Sequence, residues 1–514
     1  MFWIDEIAED IIKKHPDKDT FIIRDEKTLS GRVHVGSLRG VVIHGVIAQA
    51  LEERGKKVEY YFEFNDADPM DGLPIYVDQE KYKPYMGQPL HTVPDFAERF
   101  GQEFLEVIQS IGFNPKIIHA KDLYKEGRYN KWIEKVLAHP QEIRQIYKQV
   151  SGSEKPDDWY PLQVVCEKCG KVGTTKVTGI NKDKVTYKCL PDLVTWAEGC
   201  GHEGEIDPYD GRGKLPWKVE WAVKWAGLPV DIEGSGKDHN AAGGSHDISS
   251  RIAREILEIP VPYNIPYEFF LVGGAKMSSS KGEGSTAKAI ADLLPPEILR
   301  FLMIHKHPRK PIDFNPEGAT IPTLFDLHDK AAAQFFAKNP ENENQARLFH
   351  YSQISSQEPV EHYLPRFTRT IFFLQTPHLN AEEEVAKLKE SALTPEDKEE
   401  IQTRVKYGRK WLDECAPEAF VFQIQESLPQ IDLSQDQKQF LSGVADIMAE
   451  DLDPEELHGK IHELRKSSPL EPREAFQAIY LSLLGKDSGP QAGWFLDALE
   501  KPFVIKRFKE AAGG

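Results

Sequence analysis

A chain of 514 residues is too long for one compact hydrophobic core, so several domains are expected. Its 40% hydrophobic content suits globular cores, and no apolar run approaches the roughly 20 residues that span a bilayer. The net charge of −18 excludes a broadly basic nucleic-acid surface, because such surfaces bind by neutralising phosphates. The N-terminus lacks the basic start and continuous apolar core of an export signal, which predicts a cytoplasmic protein without membrane association.

Strands and helices alternate along the first two thirds of the chain. Strands are predicted at 20–24, 57–64, 116–120, 228–233 and 267–272, and helices at 2–14, 37–54, 96–111 and 245–257. The alternation predicts an α/β fold with a Rossmann-like parallel sheet and right-handed crossovers. It is interrupted at about 159–207, where four of the five cysteines lie between Cys166 and Cys200. After about 301 the strand signal fades, and charged helices with acidic first turns predict an all-α C-terminal domain.

The first motif, Ser-Gly-Arg-Val-His-Val-Gly-Ser at 30–37, stands between a predicted strand and a helix. Gly31 and Gly36 allow the backbone to approach a ligand closely, and a helix N-terminus offers N–H groups and positive potential to phosphates. His34 adds a donor that can stabilise charge on phosphoryl oxygens. For an isolated loop of this kind, a histidine bonded to neighbouring backbone is the favoured interpretation.

A second motif, Lys276 followed by Met277, Ser278, Ser279 and Ser280, comes after a later predicted strand. Its lysine among serines suits a triphosphate and its leaving pyrophosphate. Each motif alone is weak, but the pair in this order indicates a nucleotide site.

Asp238 lies in a third motif, Gly-Lys-Asp-His at 236–239, at the end of a predicted strand. A carboxylate there can accept both hydroxyls of a ribose, because ligands of open α/β sheets bind at the carboxyl ends of strands. The alternative is a cap for the following helix.

The cysteine cluster has the spacing of a metal site. Cys166 and Cys169 form a Cys-x-x-Cys pair, and Cys189 and Cys200 supply a second pair, for which His202 is an alternative ligand. In a reducing compartment such pairs hold zinc more often than a disulfide, so a structural Zn²⁺ site is predicted. The alternative is four buried cysteines without metal.

The chain resembles the class I lysyl-tRNA synthetases over nearly its whole length. The resemblance is carried by the stretches 25–40, 214–221, 236–245 and 276–282. It implies ATP- and Mg²⁺-dependent formation of lysyl-adenylate, followed by transfer of lysine to the terminal adenosine of tRNA(Lys).

The resemblance also implies roles for the motif residues. His34, Ser37, Lys276 and Ser279 would be catalytic, and Asp238 would hold the ribose. The ATP-binding set implied is Gly31, His34, Gly36, Ser37, Asp238, Lys276, Met277, Ser278, Ser279 and Ser280. Ser37 stands where many class I enzymes have a second histidine, and Ser279 where many have a second lysine. The lysine enzymes share the latter feature.

The pocket for the lysine ammonium needs an acidic partner, because an unpaired buried charge is costly. Asp66, Asp68 and Glu220 are candidates, with Trp221 or Trp217 as an apolar wall and Thr28 close to the first motif. The alternatives are capping aspartates and core tryptophans.

Five parts are expected along the chain. They are the two halves of the catalytic domain at 1–158 and 208–300, the zinc-binding insertion at 159–207, a helical stem at 301–365, and an all-α anticodon-binding domain at 366–514. We expect a monomer. Tyr407, Trp411 and Phe508 are candidates for stacking on RNA bases, with core packing as the alternative.

Two other functions stay open at the level of sequence. One is an adenylate-forming enzyme of the same class with another amino acid or a non-tRNA acceptor. The other is a non-catalytic RNA-binding relative that keeps the fold, against which the intact His34, Asp238 and Lys276 argue.

Overall fold

A computed structural model describes residues 1–276, 286–355, 357–376, 379–450, 452, 454–490 and 492–513. Its strands, in chain order, are β1 Thr20–Lys27, β2 Lys57–Phe64, β3 Lys116–His119, β4 Gln163–Val164, β5 Thr175–Asn181, β6 Lys184–Cys189, β7 Glu203–Ile206, β8 Gly213–Lys214, β9 Ile232–Gly236, β10 Tyr263–Tyr267, β11 Phe270–Val272, β12 Ala275–Lys276 and β13 Ile312–Phe314.

The α-helices, in chain order, are α1 Trp3–Lys14, α2 Val35–Glu53, α3 Gln79–Tyr82, α4 Phe96–Ser110, α5 Ala120–Lys125, α6 Asn130–Ala138, α7 Pro140–Ser151, α8 Trp217–Gly227, α9 Lys237–Asn240, α10 Ser245–Arg251, α11 Ala287–Leu293, α12 Pro296–Ile304, α13 Thr320–Phe336, α14 Glu343–Ser352, α15 Phe367–Gln375, α16 Ala381–Lys389, α17 Pro395–Glu414, α18 Gln435–Met448, α19 Pro454–Ser467, α20 Pro472–Leu484, α21 Ala492–Asp497 and α22 Lys501–Ala512. A π-helical turn, Ile252–Leu257, continues α10. In the described part of the chain, no helix is both long and apolar enough to cross a membrane.

The central sheet contains five parallel strands in the order β10-β9-β1-β2-β3. β1 pairs with β2 at eight consecutive positions, from Thr20 to Lys27. β1 pairs with β9 only where Ile23 meets Ile232. The chain adds strands on one side of β1 and later on the other, so the order reverses between β1 and β9. This confirms the predicted Rossmann-like parallel sheet and fixes its switch point, where ligands of such sheets bind.

Helix α2 follows β1 directly and is buried along almost its whole length. It lacks a polar face because the sheet, α1 and other elements surround it. Gly45 lies on this helix against the ring of Phe113, and a Cβ atom there would stand 2.3 Å from the ring's Cε1. A methyl group at position 45 therefore does not fit unless helix and ring move apart.

The insertion after α7 is a small β structure. Strands β5, β6 and β7 form an antiparallel sheet, and β4 pairs antiparallel with β8. The chain thus enters and leaves the insertion on two adjacent strands, Gln163–Val164 and Gly213–Lys214.

The C-terminal third is helical, as predicted, and its helices have clear start signals. Helix α17 begins with a capping box in which Thr394 and Asp397 exchange hydrogen bonds, and α18 begins with another between Ser434 and Gln437. One element differs from the expectation for 301–365. Strand β13 pairs parallel with β11 there. Three residues are too few to give a periodic signal in the sequence.

The chain divides into two compact units. One comprises Met1–Phe314 and Lys330–Glu358, and the other comprises Asn315–Asp329 and Pro359–Gly514. The second unit has its own apolar core, which includes the fully buried Leu441, Ile479 and Phe508. The finer five-part division of the chain stays a prediction.

Gly45→Ala is expected to lower the free energy of unfolding by about 1–3 kcal/mol, because the added methyl overlaps Phe113. Gly459→Ala is the matched control, since nothing lies within 4 Å of a Cβ atom at that position of α19. Alanine is the better helix former by up to about 1 kcal/mol, so the control is expected to stabilise. Urea denaturation followed by circular dichroism measures both. Equal stability of Gly45→Ala and wild type would contradict the close approach of α2 to Phe113.

Candidate active site

A cavity of about 240 Å³ opens at the switch point of the sheet. It lies between the carboxyl ends of β1, β9 and β10 and the N-terminus of α2. The residues that line it are Asp25, Glu26, Lys27, His34, Gly36, Ser37, Gly236, Asp238, His239, Tyr267, Glu268, Phe269 and Phe270. The first and third motifs, which are 200 residues apart, therefore meet in one cavity.

The first motif forms the turn that starts α2. Gly31 has a φ of 152°, and a Cβ atom there would lie 2.7 Å from the Tyr76 hydroxyl. The same hydroxyl accepts a hydrogen bond from the backbone N–H of Arg32. His34 occupies the N-cap position of α2, and its Nε2 lies 3.4 Å from Oγ of Ser37. The cavity thus contains a helix N-terminus, with His34 and Ser37 beside it, as an anion site requires.

Arg39, in the second turn of α2, ties this helix to the strand that leads to the second motif. Its fully buried guanidinium donates hydrogen bonds to the backbone oxygens of Glu268 at 2.6 Å, Phe269 at 3.2 Å and Lys310 at 2.7 Å. Burial lowers its pKa to about 10, so it stays charged at neutral pH. The sequence analysis missed this residue, although an arginine next to a long run of apolar residues in a predicted helix is a signal that could have found it.

The second motif begins at the end of a hairpin. Gly273 and Gly274, with φ values of 56° and 78°, form the turn between β11 and β12, and Lys276 pairs with Leu271. The candidates Met277, Ser278, Ser279 and Ser280 lie outside the described residues. β11 contributes Phe270 to the wall of the cavity, so the backbone enters the second motif from that wall.

Asp238 lies on the short helix α9, immediately after β9. The Asn240 side chain holds this helix by donating to the backbone oxygens of Ser235 at 2.7 Å and Gly236 at 3.0 Å. The ring of His239 stands edge-on to Trp217 and Trp221, with ring centres 5.2 and 5.8 Å away. Burial lowers the pKa of His239, which favours its neutral form. The carboxylate of Asp238 is thus placed at the rim of the cavity.

The candidates for binding the lysine ammonium have partners within the protein. Asp66 accepts from His119 at 2.9 Å and from the N–H of Lys121, and it lines a separate cavity of about 620 Å³. Asp68 accepts from Thr28 at 2.8 Å, and its other oxygen lies 2.8 Å from Nζ of Lys214.

Glu220 is fully buried and accepts from Tyr124 at 2.6 Å and Lys214 at 2.8 Å. The indole of Trp221 stacks on Trp217 and donates to Glu233 at 3.1 Å. Thr28, Asp66, Asp68, Glu220 and Trp221 are not among the residues that line the 240 Å³ cavity. Their role toward lysine stays a prediction.

The four predicted cysteine ligands come together. Their sulfur atoms all lie within 4.8 Å of one another, with Cys166 and Cys200 at 3.7 Å and Cys169 and Cys189 at 3.7 Å. Four sulfurs at about 2.3 Å from a tetrahedral Zn²⁺ stand about 3.8 Å apart, so the cluster fits this ion. The alternative ligand His202 instead packs its ring against Tyr187, and its carbonyl accepts from the N–H of Cys189.

Two of the three aromatic candidates for RNA stacking belong to apolar cores. Trp411 and Phe508 are fully buried. Arg404, in the basic stretch around Tyr407, is also fully buried, and it forms ion pairs with Asp329 and Glu400. These side chains support the helical unit instead of offering a surface to RNA.

Comparison with known proteins identifies the family of this chain. The family model described as tRNA synthetases class I (K) matches residues 1–355. The lysine–tRNA ligase of Methanosarcina barkeri is 33% identical over 542 residues, covering 99% of this chain and 97% of that protein. The enzyme of the same name from Archaeoglobus fulgidus is also 33% identical and covers 99% of this chain and 100% of that protein. That of Methanosphaera stadtmanae is 31% identical, with 99% of each chain covered. The chain therefore belongs to the family of class I (K) tRNA synthetases.

Proposed function

We propose that this chain is a lysine–tRNA ligase, which activates lysine with ATP and transfers it to tRNA(Lys). The observation that carries this proposal is the cavity at the switch point, which joins His34, the N-terminus of α2 and Asp238. These features supply a phosphate site and a ribose site in a chain that matches lysine–tRNA ligases from end to end.

In the proposed first step, a carboxylate oxygen of lysine attacks the α-phosphorus of ATP. An O–P bond forms, the bond to the β-phosphate oxygen breaks, and pyrophosphate leaves with the electron pair. His34, Ser37 and the first N–H groups of α2 would stabilise charge on the phosphoryl oxygens, while Asp238 would fix the ribose. Mg²⁺ bound to ATP would neutralise part of the triphosphate charge.

Lys276 with Met277, Ser278, Ser279 and Ser280 would bind the leaving pyrophosphate, as in the family that the sequence resembles. Gly31 would keep the turn before α2 in the conformation that this site needs, because a side chain at this φ is strained and would meet Tyr76.

In the second step, a ribose hydroxyl of the terminal adenosine attacks the carbonyl carbon of lysyl-adenylate, and AMP leaves. The helical unit is the proposed site of anticodon recognition. The enzyme would act as a monomer in the cytoplasm, where tRNA is charged.

The function is tested by lysine-dependent exchange of labelled pyrophosphate into ATP, measured with total tRNA present. We expect exchange with lysine and none above background with the other amino acids. Exchange with a different amino acid would reassign the substrate, and no exchange with any of the twenty would refute the activity.

Lys276→Ala is expected to lower the kcat for lysine activation by roughly 100-fold, because one positive donor to the transition state is lost. The KM for lysine should change by less than about threefold, since the residue is assigned to the phosphates. The matched control is Lys288→Ala, which removes a half-exposed lysine paired with Asp292 on the nearby helix α11. An unaltered kcat in Lys276→Ala would remove this residue from the mechanism.

We further propose that Cys166, Cys169, Cys189 and Cys200 hold a structural zinc ion. The support is a closed set of four thiol ligands, which leaves no position for substrate. The backbone N–H of Cys200 points to the sulfur of Cys189 at 3.3 Å, as expected for a sulfur that carries thiolate charge. The ion would join the turn at 166–169 to the small sheet of the insertion.

Metal analysis of the purified protein is expected to find about one zinc per chain. The double variant Cys166→Ser, Cys169→Ser should lose it and should become sensitive to proteolysis within the insertion, because binding energy of such sites is folding energy. Cys415→Ser is the matched control, since this half-buried cysteine belongs to the helical unit. Zinc retained in the double variant, or lost in the control, would contradict the assignment.

A further inference from the structure

A connected group of eight charged side chains lies between the central sheet and α8. We name it the buried charge cluster; its cations are Arg24, Lys214 and Lys224, and its carboxylates are Glu26, Glu63, Asp68, Glu220 and Glu233. Arg24 joins Glu26, Glu63 and Glu233, with N–O distances of 2.6 to 2.9 Å. Lys224 joins Glu26 and Glu63 and lies 3.7 Å from Glu220. Lys214 joins Glu220 to Asp68.

The buried charge cluster carries more negative than positive charge. Three cations face five carboxylates, so two negative charges are in surplus when all groups are ionised. Burial raises the pKa of Glu233 to about 7, and one negative charge remains even when this group is protonated. Uncompensated charge that is largely buried is costly, so the cluster favours a cation at a member that solvent or a ligand can reach.

Glu26 is the member of the cluster that reaches the active-site cavity. Its side chain is 21% exposed and lines the cavity, whereas Glu63 and Glu220 are fully buried. Its Oε2 atom accepts from Arg24 at 2.6 Å and from Lys224 at 2.5 Å. Its Oε1 atom accepts no hydrogen bond from any residue that the structure describes.

Glu26 also stays ionised. Burial acts to raise its pKa, but the charges of Lys224 and Arg24 outweigh burial and lower the pKa far below the ordinary value. A carboxylate that lines the cavity, with one oxygen held by two cations and the other without a hydrogen bond among the described residues, is suited to bind a further N–H donor.

The other acidic side chains that line the cavity already have partners or an assigned role, so they are less able to bind an added ammonium group. Glu268 pairs with Lys237 at 2.9 Å. One oxygen of Asp25 accepts the N–H of Glu26, and the other lies 3.2 Å from the His44 ring. Asp238 is assigned to the ribose.

We infer that Glu26 binds an ammonium group of the amino acid substrate in this cavity. The inference rests on the proposed lysine activation and adds a residue that the sequence motifs did not indicate. His239, which lines the cavity, packs its ring against Trp217 and Trp221.

The test is Glu26→Gln in lysine-dependent pyrophosphate exchange with tRNA present. We expect the KM for lysine to rise roughly 10- to 100-fold, the range for losing a hydrogen bond to a charged group, while the KM for ATP changes less than about threefold. If wild type is active and the variant keeps the wild-type KM for lysine, the inference fails and the proposed function stands. If wild type shows no exchange, the proposed function itself fails.

The matched control is Glu63→Gln, which alters the same pair of cations without touching the cavity. Losing Glu63 also reduces the negative surplus, but Glu63 does not line the cavity, so we expect a rise in the KM for lysine at least about threefold smaller than in Glu26→Gln. An equal rise in both variants would mean that the cluster acts only as structural support, and it would overturn the inference.

If Glu26→Gln does not fold, Glu26→Asp keeps the charge but withdraws it from the cavity. That variant is expected to raise the KM for lysine, and an unchanged value would again overturn the inference.

Substrate analogues distinguish the two ammonium groups. Norleucine keeps the α-ammonium, and 6-amino-2-hydroxyhexanoic acid keeps the ε-ammonium; each is measured as a competitive inhibitor of lysine. If Glu26 binds the ε-ammonium, Glu26→Gln weakens inhibition by the hydroxy acid alone. If it binds the α-ammonium, the variant weakens inhibition by norleucine alone. Equal inhibition of variant and wild type by both analogues would refute ammonium binding at Glu26.

Discussion

The reversal of strand order between β1 and β9 is the constraint on which the active site depends. The two strands meet at a single residue pair, Ile23 and Ile232, and their carboxyl ends then separate. Beyond this pair, β1 and β9 are not joined by ladder hydrogen bonds, and the space between their carboxyl ends can hold a ligand. The same gap receives the N-terminus of α2, because the crossover from β1 must begin there. The reversal of strand order therefore accounts both for the cavity and for the helix N-terminus that gives it positive potential.

The buried charge cluster is a second consequence of this topology. Arg24 lies on the central strand β1, Glu63 on β2 and Glu233 on β9, so the cluster spans the middle of the sheet. Apolar side chains would fill that space at lower cost in desolvation. The charges have a use if the site must distinguish a substrate with a cationic side chain from one with an apolar side chain. A site that forms hydrogen bonds to the substrate discriminates between substrates more strongly than a site that selects by size alone.

The elements that could be predicted from the sequence are the ones with a local cause. β2 is predicted at its observed bounds because five of its eight residues are apolar or aromatic and turn signals stand on either side. Thr394 is a local start signal of the same kind, because it caps α17, which begins at Pro395. β13 was not predicted, because three residues are too few to show a periodic pattern. The predicted strand at 267–272 is divided in the structure, because Tyr267 and Phe270 belong to different sheets.

For the candidate site, the motifs around His34 and Asp238 and the spacing of the cysteines were readable, since each has a recognisable local pattern. The surroundings of charged residues were not readable. Asp68 and Glu220 look available in the sequence, but Lys214 pairs with both of them in the fold. Nothing in the local sequence distinguishes Glu26; its place in the cavity wall and its two cationic partners appear only in the fold. Such roles depend on which distant residues the fold brings into contact, which no local pattern encodes.

The narrow entry to the cysteine insertion bears on how this architecture can change over generations. Val164 and Gly213 face each other on paired strands, so their Cα atoms stand roughly 5 Å apart. A short turn can connect two Cα atoms at this distance, and so can an insertion longer than the present one. The insertion can therefore grow, shrink or be exchanged while the sheet beneath it keeps its register. This freedom ends at Lys214 on the exit strand β8, because Lys214 forms ion pairs with Asp68 and Glu220 of the buried charge cluster.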